Sequence, residues 1–94
     1  MRLVYTDVAS EDIEMAFHWY EGQQKGLGSL FLDSLEQGIA SIIEFPETPP
    51  VTHRQFHRKL IKKFPYSIFY TLEADEIIVH AVFDNRQDPQ KKPE

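Results

Sequence analysis

The segment "WYEGQQKGLGSLFLDSLEQGI" (Trp19–Ile39) contains the end of one amphipathic helix, a break and most of a second helix, and it is the most informative part of the chain for its architecture. The glycines of "KGLG" (Lys25–Gly28) interrupt the helical pattern. A second helix is predicted from about Leu27 to Phe45 by apolar residues at helical spacing, namely Leu27, Phe31, Leu35, Ile39 and Ile42. Two helices joined by so few residues are expected to fold back as an antiparallel hairpin.

The residues before this hairpin predict a strand followed by the first helix. "RLVYTDV" (Arg2–Val8) is typical of a short strand. In "ASED" we expect Ser10 to cap a helix that runs to about Gln24. Its apolar face is formed by residues at the spacing i, i+3, i+4 and i+7, namely Ile13, Ala16, Phe17 and Tyr20.

The residues after the hairpin predict three strands. Pro46 ends the second helix, and strand patterns follow at Phe56–Phe64, Tyr66–Leu72 and Ile77–Phe83, with a turn at Glu73–Glu76. The element order is βααβββ. It predicts an α+β domain in which the helix hairpin packs on a mostly antiparallel four-stranded sheet. We assign residues 1–89 to this single domain and residues 90–94 to a polar tail.

Composition excludes several classes of protein. The chain has 94 residues, a formal net charge of −5 and no cysteine, which excludes disulfides, thiol catalysis and thiolate metal sites. No apolar run reaches the ~18 residues that a membrane-spanning helix needs. We therefore expect a cytoplasmic protein without a membrane partner, a metal or a cofactor.

The charge is unevenly distributed along the chain. Residues 51–70 contain five Lys or Arg and no Asp or Glu, although the protein as a whole is acidic. Such a segment attracts anionic partners, and both nucleic acid and an acidic protein meet that requirement.

Three blocks of the sequence resemble the RelE/ParE toxin superfamily of bacterial type II toxin–antitoxin and plasmid-stabilisation systems. They are the quoted helix pair, "KKFPYSIFY" (Lys62–Tyr70) and "IIVHAVFDNRQDP" (Ile77–Pro89). The resemblance implies a cytoplasmic toxin that arrests growth when free and is neutralised by an antitoxin encoded by a neighbouring gene. RelE-like members cut mRNA on the ribosome, ParE-like members poison DNA gyrase, and some members have no demonstrated activity. A non-toxic member that only binds its antitoxin, and an unrelated small α+β binding module, are the alternatives.

The resemblance also suggests site residues. Metal-independent RNA cleavage needs a base for the ribose 2′-hydroxyl, cations for the charged phosphorane and an acid for the leaving oxygen. The catalytic candidates are Arg86, Arg58 and Tyr70. The candidates for binding nucleic acid or antitoxin are Arg58, Lys59, Lys62 and Lys63, which we place on the second strand, together with Trp19 on the first helix.

Each candidate also has a structural interpretation. Asp84 stands where many members have His, and Gln87 stands where they have a second Arg, which argues against strong nuclease activity. Arg58 and Arg86 are also suited to surface ion pairs, and the three lysines to keeping a strand soluble. For Tyr70 the alternating pattern favours core packing. His80 on a central strand is most often a hydrogen-bonded core residue. His53 and His57 would share a metal only on a helix, which this segment does not resemble.

Overall fold

The computed structural model describes residues 1–52 and 54–87, and it confirms the βααβββ order. The elements are β1 (Arg2–Tyr5), α1 (Asp7–Gln23), α2 (Leu27–Glu44), β2 (His57–Leu60), β3 (Tyr66–Glu73) and β4 (Glu76–Asp84). The sheet has the strand order β1-β4-β3-β2, in which β1 and β4 are parallel and the other two pairs are antiparallel.

A close approach of α1 and α2 makes the helix hairpin. Gly28 is buried at this contact, and a Cβ built there would lie 2.8 Å from the backbone oxygen of Phe17. Gly26 precedes α2 in the left-handed region with φ of 90°. The carboxylate of Glu21 accepts hydrogen bonds from the Gly26 and Gly28 N–H groups at 3.0–3.1 Å, so α1 caps the start of α2.

The core lies between the helix hairpin and one face of the sheet. Phe31 and Ile42 of α2 are completely buried in the same hydrophobic cluster as the sheet residues Ile68, Tyr70 and Val79. Each such side chain contributes roughly 1.5–3 kcal/mol by leaving water. The predicted apolar stripe of α2 is thereby confirmed as the inner face of the helix.

The prediction that Ser10 caps α1 is wrong, because the helix begins at Asp7 and its capping position lies four residues before Ser10. Thr6 is the capping residue, and its hydroxyl oxygen accepts a hydrogen bond from the Ala9 N–H at 3.1 Å. The same hydroxyl donates to the His80 carbonyl at 3.2 Å, which ties the start of α1 to β4. This long-range contact favours Thr6 as the capping residue, although the side chain of Ser10 would be equally suitable for capping.

The prediction that Lys62 and Lys63 lie on the second strand is also wrong, since β2 ends at Leu60. Lys63 has a positive φ of 71°, which is incompatible with an extended strand. The two lysines therefore lie in the loop before β3. His53 lies outside the described residues, so the hypothesis of a shared His53–His57 metal site is not tested by the structure.

Two further findings concern the described ranges only. Within residues 1–52 and 54–87, no helix is long and apolar enough to cross a membrane. In the same residues, no group of three or more His, Cys, Asp or Glu side chains is placed to hold a metal ion.

Candidate functional site

Arg86 follows β4 and forms a two-point ion pair with Asp84. Its Nε donates to Oδ1 of Asp84 at 3.0 Å, and its Nη2 donates to Oδ2 at 2.9 Å. The backbone N–H of Arg86 donates to the same Oδ1 at 2.9 Å. These hydrogen bonds lower the pKa of the Asp84 carboxyl and raise that of the guanidinium. The charge of Arg86 is therefore compensated within the chain.

The same guanidinium lies over the ring of Trp19, 5.8 Å from its centroid. Trp19 keeps 51% of its surface exposed although it also packs edge-on against Tyr20. Met15 lies one helical turn earlier and is 70% exposed. Asp84 thus holds Arg86 against Trp19, and α1 presents two large apolar side chains to solvent beside that pair.

A groove of about 420 Å³ runs between α1 and the end of β4. Tyr66 lines this groove. The pKa of its phenol is raised to about 12, mainly by burial and secondly by the charge of Asp84. The phenol is therefore protonated at neutral pH and can act as a hydrogen-bond donor but not as a base. The groove is lined mainly by Asp12, Met15, Trp19, Tyr66, Arg86 and Gln87.

Arg58 lies on the opposite side of the sheet, away from the helices. Its Nε donates to the Ser67 hydroxyl at 2.9 Å and its Nη2 donates to Oδ1 of Asn85 at 3.0 Å. The guanidinium lies 5.8 Å from the centroid of the Phe69 ring. In the described part of the chain, Arg58 has no carboxylate partner, so its position is fixed while its charge stays uncompensated.

His80 shares this outer face with Arg58. Its Nε2 lies 2.7 Å from the Thr71 hydroxyl, and its ring packs edge-on against Phe56 at 5.1 Å. Burial lowers the pKa of the imidazole, and the charge of Glu73 partly opposes this effect. The geometry fits the hydrogen-bonded structural histidine that the strand pattern favours.

Tyr70 lies in the core and not at a surface. It is completely buried, and its hydroxyl donates to the Pro46 carbonyl at 2.6 Å. The His57 ring stacks on it at 5.0 Å, and burial raises the pKa of the phenol to about 12. Tyr70 therefore joins the strand to the end of α2 and has no access to a substrate.

Strand register explains why the three predicted catalytic residues do not converge. Arg58 lies opposite Phe69, whereas Asp84, the partner of Arg86, lies opposite Tyr66. Phe69 and Tyr66 are an odd number of residues apart, so their side chains point to opposite faces of the sheet. Lys59 also points away from the face of Arg58, because it is the next residue along β2.

Sequence reasoning missed Ser67 and Asn85, the partners of Arg58. From the sequence, Ser67 was one position of the predicted third strand, and Asn85 was part of the block Ile77–Pro89. Neither residue was given a functional role. The "FPY" segment before Ser67 gave no signal for this contact, because the contact depends on the pairing of β2 with β3.

Comparisons with known proteins agree with this architecture. A family model described as "ParE toxin of type II toxin-antitoxin system, parDE" matches residues 3–89. A chain from the solved "Chromosomal ParDE TA system from P. aeruginosa" superposes with a TM-score of 0.79 at 12% sequence identity, covering 89% of this chain and 95% of that one. At this identity the superposition shows a shared fold. No curated protein matches the chain.

Proposed function

The chain belongs to the ParE toxin family of type II toxin–antitoxin systems, and from this premise we propose that it arrests growth by binding a protein target, DNA gyrase, and is neutralised by a cognate antitoxin. The family confirms the resemblance drawn from the helix pair and the last strands. We choose gyrase as the target because the resemblance implies that ParE-like members poison DNA gyrase. We further propose that the protein acts in the cytoplasm.

One observation supports binding over RNA cleavage: the catalytic candidates lie apart. Arg86 is neutralised by Asp84, Tyr70 is enclosed in the core, and Arg58 lies on the other face of the sheet. General acid–base chemistry needs its groups within hydrogen-bond reach of one substrate. An inhibitor that acts by binding needs only a complementary surface.

The target surface that we propose is centred on Trp19. An exposed Trp beside an Arg is the composition that carries most binding energy in protein interfaces. Asp84 holds the guanidinium in place, so little side-chain entropy is lost when a partner covers it. Met15 and the adjoining groove extend the surface along α1.

One observation favours RNA cleavage as a second candidate. Arg58 is held rigidly by Ser67 and Asn85 and keeps a charge that no described carboxylate compensates. A phosphate could approach it on the outer face, where His80 also lies. In this alternative, Arg58 and not Arg86 would stabilise the phosphorane.

The deciding experiment measures DNA supercoiling by purified gyrase with increasing amounts of the toxin. We expect inhibition by the wild-type protein and a loss of potency of at least about 30-fold in Trp19→Ala, the size of a ~2 kcal/mol hot spot. Leu30→Ala is the matched control, because Leu30 is also a large apolar residue with 53% exposure on a helix. It should inhibit like the wild type.

Two further results complete the test. During growth arrest the transcripts should stay intact, and co-expression with the small protein from the neighbouring reading frame should restore growth. Normal supercoiling at excess toxin, together with cut transcripts that disappear in Arg58→Ala, would replace the gyrase proposal with the RNA-cleaving one.

A further inference from the structure

The two edges of the sheet differ in how they are protected. At the β2 edge, residues 50–52 pair with the start of the strand, where the Arg58 N–H donates to the Pro50 carbonyl at 3.0 Å. Pro49 precedes this segment and Lys59 follows Arg58, and such residues are the usual protection of an edge strand against pairing with another chain. β1, at the other edge, contains neither proline nor lysine.

Leu3 and Tyr5 direct their backbone groups to the open side of β1. The N–H groups of Arg2 and Thr6 donate towards β4, at 2.6 and 3.0 Å. Backbone groups alternate in direction along a strand, so the N–H and C=O of Leu3 and Tyr5 point away from β4. In the described part of the chain, these outward groups have no hydrogen-bond partner.

Apolar side chains lie beside these unpaired groups. Tyr5 is 38% exposed, and Val8 in the first turns of α1 is 58% exposed. The pKa of the Tyr5 phenol is raised, mainly by burial and secondly by the charge of Glu36, so Glu36 of α2 also lies near this edge. Unpaired backbone groups next to exposed apolar side chains favour pairing with another strand.

Charge selects a second copy of this chain as the occupant. Asp7, Glu36 and Asp75 lie around the open side of β1, and Arg2 forms an ion pair with Glu76. These acids disfavour an acidic protein segment or a nucleic acid. Arg2 begins the strand and Asp7 follows its other end, so two antiparallel copies place Arg2 of each copy beside Asp7 of the other. The edge is therefore complementary to itself.

We propose that two copies of this chain pair through β1, antiparallel and about a two-fold axis, which joins their four-stranded sheets into one. In the register that we propose, Leu3 of each copy lies opposite Tyr5 of the other. Every outward N–H and C=O group of β1 is then paired. This inference does not depend on the proposed target, and the interface does not include Trp19.

The test measures self-association of the free full-length chain by sedimentation velocity across the micromolar range. We expect a weak monomer–dimer equilibrium, because a short strand buries little surface. Hydrogen exchange of the Leu3 and Tyr5 amides should slow as the concentration rises. The Val4 amide, which points towards β4, should be protected at every concentration and serves as the internal control.

Tyr5→Pro removes an outward N–H but no hydrogen bond to β4. It should weaken the dimer by at least about tenfold in Kd, because each dimer loses two hydrogen bonds. Tyr5→Val is the matched control, since it also removes the aromatic ring but keeps the N–H, and its Kd should stay within about threefold of the wild type. Thermal unfolding verifies that both variants are folded.

A charge exchange tests the register independently. Arg2→Glu and Asp7→Lys each bring like charges together in a pair of identical copies, so each variant alone should dimerise at least about fivefold more weakly at low salt. An equimolar mixture of the two variants restores opposite charges at both ends of the interface and should associate about as tightly as the wild type. A wild-type chain that stays monomeric, a Tyr5→Pro variant that dimerises like Tyr5→Val, or a mixture that associates no better than either variant alone would overturn the proposal.

Discussion

Gly28→Ala should destabilise the protein, although alanine is the better helix former. The Cβ of alanine would lie 2.8 Å from the Phe17 backbone oxygen and 2.9 Å from two atoms of its ring. Backbone cannot move aside as a flexible side chain does, so α1 and α2 must separate. Overpacking of this kind costs about 1–3 kcal/mol, against which helix propensity returns about 0.5–1 kcal/mol. The two ranges leave a net loss of about 0–2.5 kcal/mol, and we expect a value near the middle, about 1 kcal/mol.

Gly22→Ala is the matched control, because it makes the same substitution on α1 with no heavy atom within 4 Å of the new Cβ. It should leave stability unchanged or raise it by up to about 1 kcal/mol. Urea unfolding followed by circular dichroism measures both variants. Each kcal/mol corresponds to about 4–8 °C in Tm for a domain of this size. Equal stabilities of the two variants would show that close helix contact at Gly28 does not shape the hairpin.

Three further predictions concern the carboxylates. Glu21→Ala removes the acceptor of the Gly26 and Gly28 N–H groups and should cost about 1–2 kcal/mol in urea unfolding, whereas Glu21→Gln, which keeps one acceptor oxygen, should cost less. The pKa of Asp84 is lowered in the folded state, so its contribution to stability is present above the ordinary value of 3.8 and is lost as the pH falls through the lowered pKa. The stability difference between the wild type and Asp84→Asn, below about 1 kcal/mol at pH 7, should therefore shrink as the pH is lowered from 3.8. The pKa of Asp12 is raised, chiefly by burial, so its contribution to stability falls as the pH rises from 3.8 through the raised pKa. In Asp12→Asn the amide oxygen still accepts from the Val82 N–H, so this variant should match or exceed wild-type stability at pH 7 and lose this pH dependence. A clear destabilisation would contradict the reasoning.

Much of the fold followed from local patterns. The limits of α2 agree with the predicted helix to within one residue, because apolar spacing and the proline after it act on the segment itself. The two longer strands were also found locally, β3 from its alternation and β4 from a continuous apolar run. The start of α1 was not found in this way, because the Thr6 hydroxyl also donates to the His80 carbonyl of β4, and local sequence rules do not include such a long-range hydrogen bond.

The candidate site depended far less on local patterns. Trp19 was expected at the surface and is there, because its neighbour Tyr20 occupies the buried stripe of the helix. A surface ion pair of Arg86 was one alternative from the sequence, without a named partner. The structure shows that the partner is Asp84, which is close enough in the chain to meet Arg86 without long-range help. The contacts of Arg58 with Ser67 and Asn85 join three separate segments, so no window of sequence contained them.

The helix hairpin, the order of the elements and the concentration of positive charge before β3 all follow from local sequence, since each depends on residues that are near one another in the chain. Which cations face the same way depends instead on how the strands pair. A strand turns successive side chains to opposite sides, so the pairing register placed Arg58 on one face of the sheet and Lys59, Tyr66 and Asp84 on the other. A shift of one residue in that register would have exchanged the two faces with the composition unchanged.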